Sequence, residues 1–349
     1  MVPMNSFDII VVGLGPAGAT FARSVSDKYR ILAIDAKGEQ SPFQKPCGGL
    51  LAPDAQKTIA EMGFHINKDL LVDPQIFSVH TIDFQSKLER DYQRAYFNLD
   101  RHAFDMWCIA QIPDTVKLES SAKVTAILKT DQGYTVDYTT PDGRYQATTR
   151  YLIGADGANS MVRKAIYPKH RIRTYLSIQE WYQVSDSRPF YASIFDPEAT
   201  DCYSWALYKN DYLLFGGAYP QTGARQRFEN QKQKLIDHGY PLQHPIKRQA
   251  CLVLRPEKLS DIVTGKDNAY LIGEAAGWVS PSSLEGISYA LISARELART
   301  FPDRPHYRKL KLKLLSKIIK SPFLYQPTIR RIIMGSGLQS IKISKSRQP

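Results

Sequence analysis

Six residues, Gly13-Leu14-Gly15-Pro16-Ala17-Gly18, constrain the fold more than any other stretch of this 349-residue chain. They follow Phe7-Asp8-Ile9-Ile10-Val11-Val12, an apolar run that predicts a parallel strand buried on both faces. They precede Ala19 to Val25, where small residues at Ala19 and Ala22 predict a closely packed helix. In such a strand–turn–helix unit the first glycine permits the tight turn, the second lets backbone N–H groups approach a pyrophosphate, and the third lets helix and strand touch. The helix N-terminus then turns its partial positive charge toward the phosphates.

A second strand, Arg30 to Ile34, ends at Asp35, about 20 residues beyond Gly13, where a carboxylate accepts a ribose hydroxyl. Pro16, Ala17 and Ala36 adjoin these positions and complete a cofactor-binding set with Gly13, Gly15, Gly18 and Asp35. The turn alone does not separate FAD from NAD. Two later segments repeat the pattern of a short apolar strand ending in glycine and an acid: Tyr151-Leu152-Ile153 before Gly154-Ala155-Asp156-Gly157, and Ala269 to Ile272 before Gly273-Glu274-Ala275-Ala276-Gly277. Each brings bare backbone and a carboxylate to one extended ligand.

Three such segments resemble the fingerprints of the flavoprotein hydroxylase and geranylgeranyl reductase superfamily. The resemblance implies that Gly13, Gly15, Gly18 and Asp35 hold the ADP half of FAD, that Asp156 and Gly157 lie near the pyrophosphate, and that Gly273 to Gly277 meet the ribityl chain. Glu274 departs from the superfamily, where Asp is usual. Asn98 to Asp105 is similar to the segment whose Arg, here Arg101, flanks the flavin with a Phe-Asp pair. Lys45-Pro46-Cys47-Gly48-Gly49 resembles the Cys-Gly-Gly loop of geranylgeranyl reductases, which passes near the isoalloxazine. Cys47 is then either a packing thiol or a catalytic one. Ser282 and Glu285 have capping-box spacing, which predicts a helix start, and the resemblance implies that this start, with Gly286 and Ile287, lies beside the flavin; the spacing alone assigns Glu285 no chemical role.

Between residues 174 and 219 stand twelve aromatics. The alternation Tyr203-Ser204-Trp205 and the turn at Asn210-Asp211 predict antiparallel strands, a sheet domain that roofs the flavin. Tyr203 and Trp205 match a reductase signature whose later positions differ here. Trp205, Tyr208 and Phe215 are the substrate-contacting candidates, and Cys47 and Tyr203 the catalytic ones, although aromatics at strand spacing also build core.

The expected architecture is α/β: a Rossmann-like FAD-binding domain from residues 1–70, 98–168 and 265–300, an antiparallel-sheet substrate domain from 71–97 and 169–264, and C-terminal helices in a basic segment, 301–349. Residues 304–349 carry twelve Lys or Arg and no Asp or Glu, and the remaining 34 basic residues equal the 34 acidic ones. Within the tail, Leu310, Leu314, Leu315, Ile318 and Ile319 recur at helical spacing with lysines on another face. Residues 304–320 are thus either a helix on an anionic membrane surface or a helix docked on the body. Charge confined to the tail, without a recognition motif, argues against nucleic acid. The four cysteines are scattered, with no metal-binding pair, which suits reduced thiols in the cytoplasm. The Ile9–Val12 run is too short for a membrane span and lacks the basic flank of a signal peptide.

These features imply an FAD-dependent oxidoreductase that passes hydride to an alkene of an apolar, prenyl or lipid-like substrate. The same scaffold serves a monooxygenase acting on an aromatic or apolar small molecule, and a flavin-bearing membrane or redox sensor is a third reading. No second glycine fingerprint stands in a strand-to-helix context, but NAD(P)H can bind transiently without one and is open as an electron donor.

Overall fold

The computed structural model describes residues 5–38, 43–185 and 190–343. Within them the chain passes repeatedly between two sheets. It enters the first with β1 (Asn5–Val12), α1 (Pro16–Val25) and β2 (Ile31–Ile34), sends β3 (Leu50–Leu51) to the second, returns α2 (Pro53–Glu61) to the first-sheet core through Ala55 and Ile59, then lays down β4 (Ile76–Asp83) and β5 (Leu88–Asn98) of the second. Helix α3 (Arg101–Ala110) leads back to β6 (Lys117–Glu119), β7 (Lys123–Thr130), β8 (Gly133–Thr140) and β9 (Gly143–Gly154). After α4 (Met161–Ile166) come β10 (Thr174–Gln183), β11 (Phe190–Phe195), β12 (Tyr203–Lys209), β13 (Tyr212–Pro220), α5 (Ala224–Asp237) and β14 (Lys247–Leu254). The last passage runs through β15 (Gly265–Lys266), β16 (Ala269–Leu271), α6 (Ile287–Thr300), α7 (Arg308–Tyr325), α8 (Pro327–Ser336) and β17 (Ser340–Ile341).

In the first sheet β1 lies between β2 and β9, parallel to both, in the order β15-β16-β9-β1-β2-β6. Its side chains alternate: Ile9 and Val11 face a core shared with α1, α3 and α6, while Ile10 and Val12 face one closed by β8, Trp278 and the start of α7. Burial on both faces explains the unbroken apolar run. The fold is therefore an α/β arrangement with mixed sheets and C-terminal helices.

The second sheet runs β14-β10-β13-β12-β11-β4-β5-β17. It is not wholly antiparallel as the strand spacing suggested, because β4 and β11 pair in parallel. These strands are separated in sequence by the excursion through β6 to β9, so no hairpin dictates their direction. One face packs on α5 and the other faces the first sheet.

The tail straps the two sheets together. Leu310 and Leu314 of α7 are buried in the first-sheet core, β17 pairs antiparallel with β5, and the Arg330 guanidinium on α8 meets both carboxylate oxygens of Asp83 on β4 at 2.8 and 3.0 Å. Lys345 and Arg347 lie outside the described residues. Among the described residues no helix is long and apolar enough to cross a membrane.

Candidate functional site

A cavity of about 890 Å³ lies between the sheets, toward the upper end of the roughly 300–1,000 Å³ common for small-molecule and cofactor sites. Its floor is the β1–α1 turn. Gly13 adopts φ +92°, and a Cβ there would lie 2.7 Å from the Ala155 carbonyl oxygen. A Cβ on Gly15 would meet nothing within 4 Å, so the space above this backbone is open. Gly15 also caps α1 without any side-chain hydrogen bond, and no acid occupies the first turn, leaving the N–H groups directed at the cavity free of a competing side chain. Pro16 and Ala17 edge the cavity; Gly18 does not, since its Cα lies against the Gly13 carbonyl, where a Cβ would approach to 1.8 Å.

Asp35 and Ala36 reach the cavity from the end of β2. The Asp35 carboxylate accepts from Leu14 N–H and, at 2.6 Å, from Lys37 N–H, and it pairs with the buried Lys37 ammonium at 3.1 Å. It braces the glycine turn as well as edging the cavity. Asp156 and Gly157 line the opposite side. Asp156 accepts from Ser160 Oγ at 2.5 Å and from Met161 N–H at 2.6 Å, so its carboxylate holds the start of α4.

Gly273 and Glu274 line the cavity, whereas Gly277 is turned away and packs near Ile172 and Ile262. The longer Glu274 side chain has both oxygens engaged, one with Lys45 Nζ at 2.6 Å and one with Leu254 N–H at 3.0 Å. It joins the Cys-Gly-Gly loop to β14. Gly286 and Ile287 also line the cavity, but the helix there begins four residues later than the Ser282–Glu285 spacing suggested: Gly286 is the N-cap, and Glu285 accepts from Ser288 N–H at 2.6 Å from just outside the helix. Ser282 instead turns toward Ser280 Oγ, at 3.2 Å.

Cys47, Gly48 and Gly49 lie over the cavity with Arg101, whose Nε donates to Asp105 at 3.0 Å and whose guanidinium also contacts the Cys47 thiol. Beneath this loop sits Lys209, buried, donating to Asn98 Oδ1 at 2.7 Å and Leu99 O at 2.8 Å, its pKa lowered to about 8 by burial. Residue-by-residue reading missed this ammonium, although a lysine closing an apolar strand was a visible signal. Cys251, also on the cavity wall, has its thiol pushed up to about 11 by burial.

The roof is the inner face of the second sheet: Tyr96, Tyr191, Tyr203, Trp205 and Leu207. Tyr203 donates to Ser283 O at 3.2 Å, and burial raises its phenol well above the ordinary range. Tyr208 and Phe215 do not line the cavity. Strand parity sends Tyr203, Trp205 and Leu207 to one face and Tyr208 to the other, and Phe215, paired with Ala206, shares that second face and stacks on Phe228 of α5 at 5.1 Å. Continuing the Tyr203-Ser204-Trp205 alternation would have found Leu207. The Trp205 indole N–H is buried without a hydrogen-bond partner among the described residues, under Gly48. An orphaned donor, an uncapped helix start, an open glycine backbone and an adjacent arginine together fit a dinucleotide carrying a polar-edged ring.

The comparisons agree with this geometry. Residues 110–208 match the family model described as FAD binding domain. A geranylgeranyl bacteriochlorophyll reductase-like protein from Thermoplasma acidophilum superposes with a TM-score of 0.73 at 18% identity, covering 95% of this chain and 84% of the other. A probable FAD-dependent monooxygenase from Pseudomonas aeruginosa gives 0.67 at 15% identity, covering 96% and 100%. The fold is that of FAD-dependent oxidoreductases and monooxygenases, and the domain match supports FAD as the group this cavity holds. Protein CbrA of Escherichia coli O157:H7 is 45% identical, over 97% of this chain and 99% of its own length. The chain belongs to the CbrA family.

Proposed function

We propose that this protein is an FAD-dependent reductase of the geranylgeranyl reductase type, acting on an alkene of an apolar, prenyl or lipid-like substrate. The observation that carries this reading is the roof, where Tyr96, Tyr191, Trp205 and Leu207 offer apolar and aromatic surface to the same cavity that the glycine turn lines. When bound, FAD supplies hydride chemistry. Gly13, Gly15 and the start of α1 would hold its diphosphate with Arg101, Asp35 would edge the ribose, and Asp156, Gly157, Gly273 and Glu274 would frame the middle of the cofactor.

Reducing an alkene also needs a proton. Glu285 is the side chain on this wall best suited to hold one: burial raises its carboxyl pKa against the opposing pull of the Ser288 N–H bond and the Lys313 charge. Tyr203 and Cys47, which line the same cavity, are the alternatives. NAD(P)H would serve as a transient electron donor.

The test is anaerobic reduction of the purified protein by NADPH, NADH and dithionite, followed spectrally, then reoxidation by polyprenyl lipids or by O₂. Return of flavin absorbance only with an unsaturated lipid is the expected result. Fast reoxidation by O₂ with a hydroxylated product would assign a monooxygenase instead, a reading the shared fold keeps in view. Redox-dependent membrane binding without turnover would assign a sensor.

A further inference from the structure

Helix α7 carries two apolar stripes on opposite sides. The inward one, Leu310 and Leu314, is buried in the body. The outward one, Leu312, Ile319 and Phe323, is 59, 55 and 56% exposed. Helix α8 repeats the arrangement, burying Arg330 and Met334 while exposing Ile332 at 66% and Ile333 at 48%. Scattered exposed leucines need no explanation, but a series of large apolar side chains on the outer faces of two consecutive helices does. Arg308, Lys309 and Lys320 border the α7 stripe at helical spacing, Arg331 adjoins Ile332, and no acid occurs from residue 304 onward.

We propose that the outward faces of α7 and α8 dock the protein on an anionic lipid bilayer, with Leu312, Ile319, Phe323, Ile332 and Ile333 entering the interface and the basic side chains meeting the headgroups. The stripe that does this is not the one at Leu310 and Leu314, which the fold consumes. Charge selects the occupant. Glu61 and Glu296 lie near Lys309, but residues 304–349 themselves carry only basic charge, so a second copy would set one predominantly basic segment against another, whereas an anionic surface neutralises it. Lys313 and Lys317 of the same helix line the cavity, so the docked helix is also part of the cavity wall.

The experiment is flotation of the full-length protein with vesicles of phosphatidylcholine alone and of phosphatidylcholine with phosphatidylglycerol, at low and at physiological salt. Binding is expected only with phosphatidylglycerol and is expected to weaken with salt. A combined Leu312→Ser, Ile319→Ser and Phe323→Ser variant, altered only at exposed positions, is expected to lose at least about 100-fold in partitioning with an unchanged melting temperature. Lys309→Gln with Lys320→Gln is expected to lose about 30-fold at low salt. Failure to float with anionic vesicles at low salt, or flotation unaffected by the triple substitution, would overturn the proposal. So would a dimer in solution that the triple variant abolishes without any vesicle binding. The readout needs neither flavin nor turnover and stands apart from the reductase reading.

Discussion

Lys45 and Glu274, 229 positions apart, meet at 2.6 Å across the cavity wall. The contact ties the loop bearing Cys47 to the turn that follows β16, and the other Glu274 oxygen carries the tie on to β14. Three segments from different parts of the chain are thereby held around one cavity.

Releasing that tie is expected to loosen the cofactor more than the fold. Lys45→Met removes a charge-assisted bond at a partly exposed site, and fluorescence titration of the apoprotein with FAD should show about tenfold weaker binding. Unchanged affinity would mean that the loop is held by its other contacts.

Gly15→Val separates cofactor binding from folding. A Cβ at this position meets nothing within 4 Å, so the melting temperature of the apoprotein should stay within about 2 °C. The added side chain fills the space a diphosphate needs, and the purified variant should carry no flavin absorbance.

Phe215 and Leu207 should fail in different ways. Phe215→Ala removes a ring stacked in the α5 core and is expected to cost about 3–5 kcal/mol of stability in denaturant unfolding. Leu207→Ala, on the cavity face, should in addition raise KM for the apolar substrate. A KM effect from a mild Phe215→Leu substitution would contradict the assignment of faces.

The Asp83–Arg330 pair makes a pH-dependent contribution to stability. Arg330 and Ser86 hold the Asp83 carboxyl below the usual range against the cost of burial. A carboxyl whose folded pKa is lowered stabilises the fold above the unfolded value, about 3.9, and that stability is lost as pH falls through the lowered value. Urea unfolding between pH 6 and 2 should show this decline in the wild type and less of it in Asp83→Asn. Arg330→Met strands a buried carboxylate and should cost about 3–5 kcal/mol at neutral pH.

Glu285 titrates in the opposite sense. Its raised pKa keeps the carboxyl protonated to higher pH, so turnover that draws on this proton should fall as pH rises through that value. Glu285→Gln should remove that limb of the pH profile while leaving flavin content unchanged; a profile identical to wild type would return the role to Cys47 or Tyr203.

The parts of this protein legible without a structure are those in which neighbouring residues decide. The strand, glycine turn and helix from Phe7 to Val25 could be read directly, because each glycine answers a local steric demand and the apolar run reflects burial on both faces of one strand. The Asn210-Asp211 turn and the strand alternation at Tyr203 and Trp205 are likewise properties of adjacent residues.

Tertiary structure decided the rest. Tyr208 and Phe215 are as aromatic as Trp205, but only the positions of α5 and the first sheet determine which face is core and which is cavity. Ser282 and Glu285 have the spacing of a helix start, yet the hydrogen bonds among Ser280, Ser282 and Ser283 defer that start to Gly286. Glu274 finds Lys45, Arg330 finds Asp83, and Lys209 settles beneath Gly49 through folding that brings distant segments together. Sequence by itself determined the glycine turn and the α/β frame. Partners hundreds of residues apart, and the choice between two apolar faces of one helix, were settled by long-range packing, since burial and charge pairing depend on what the rest of the chain places opposite each side chain.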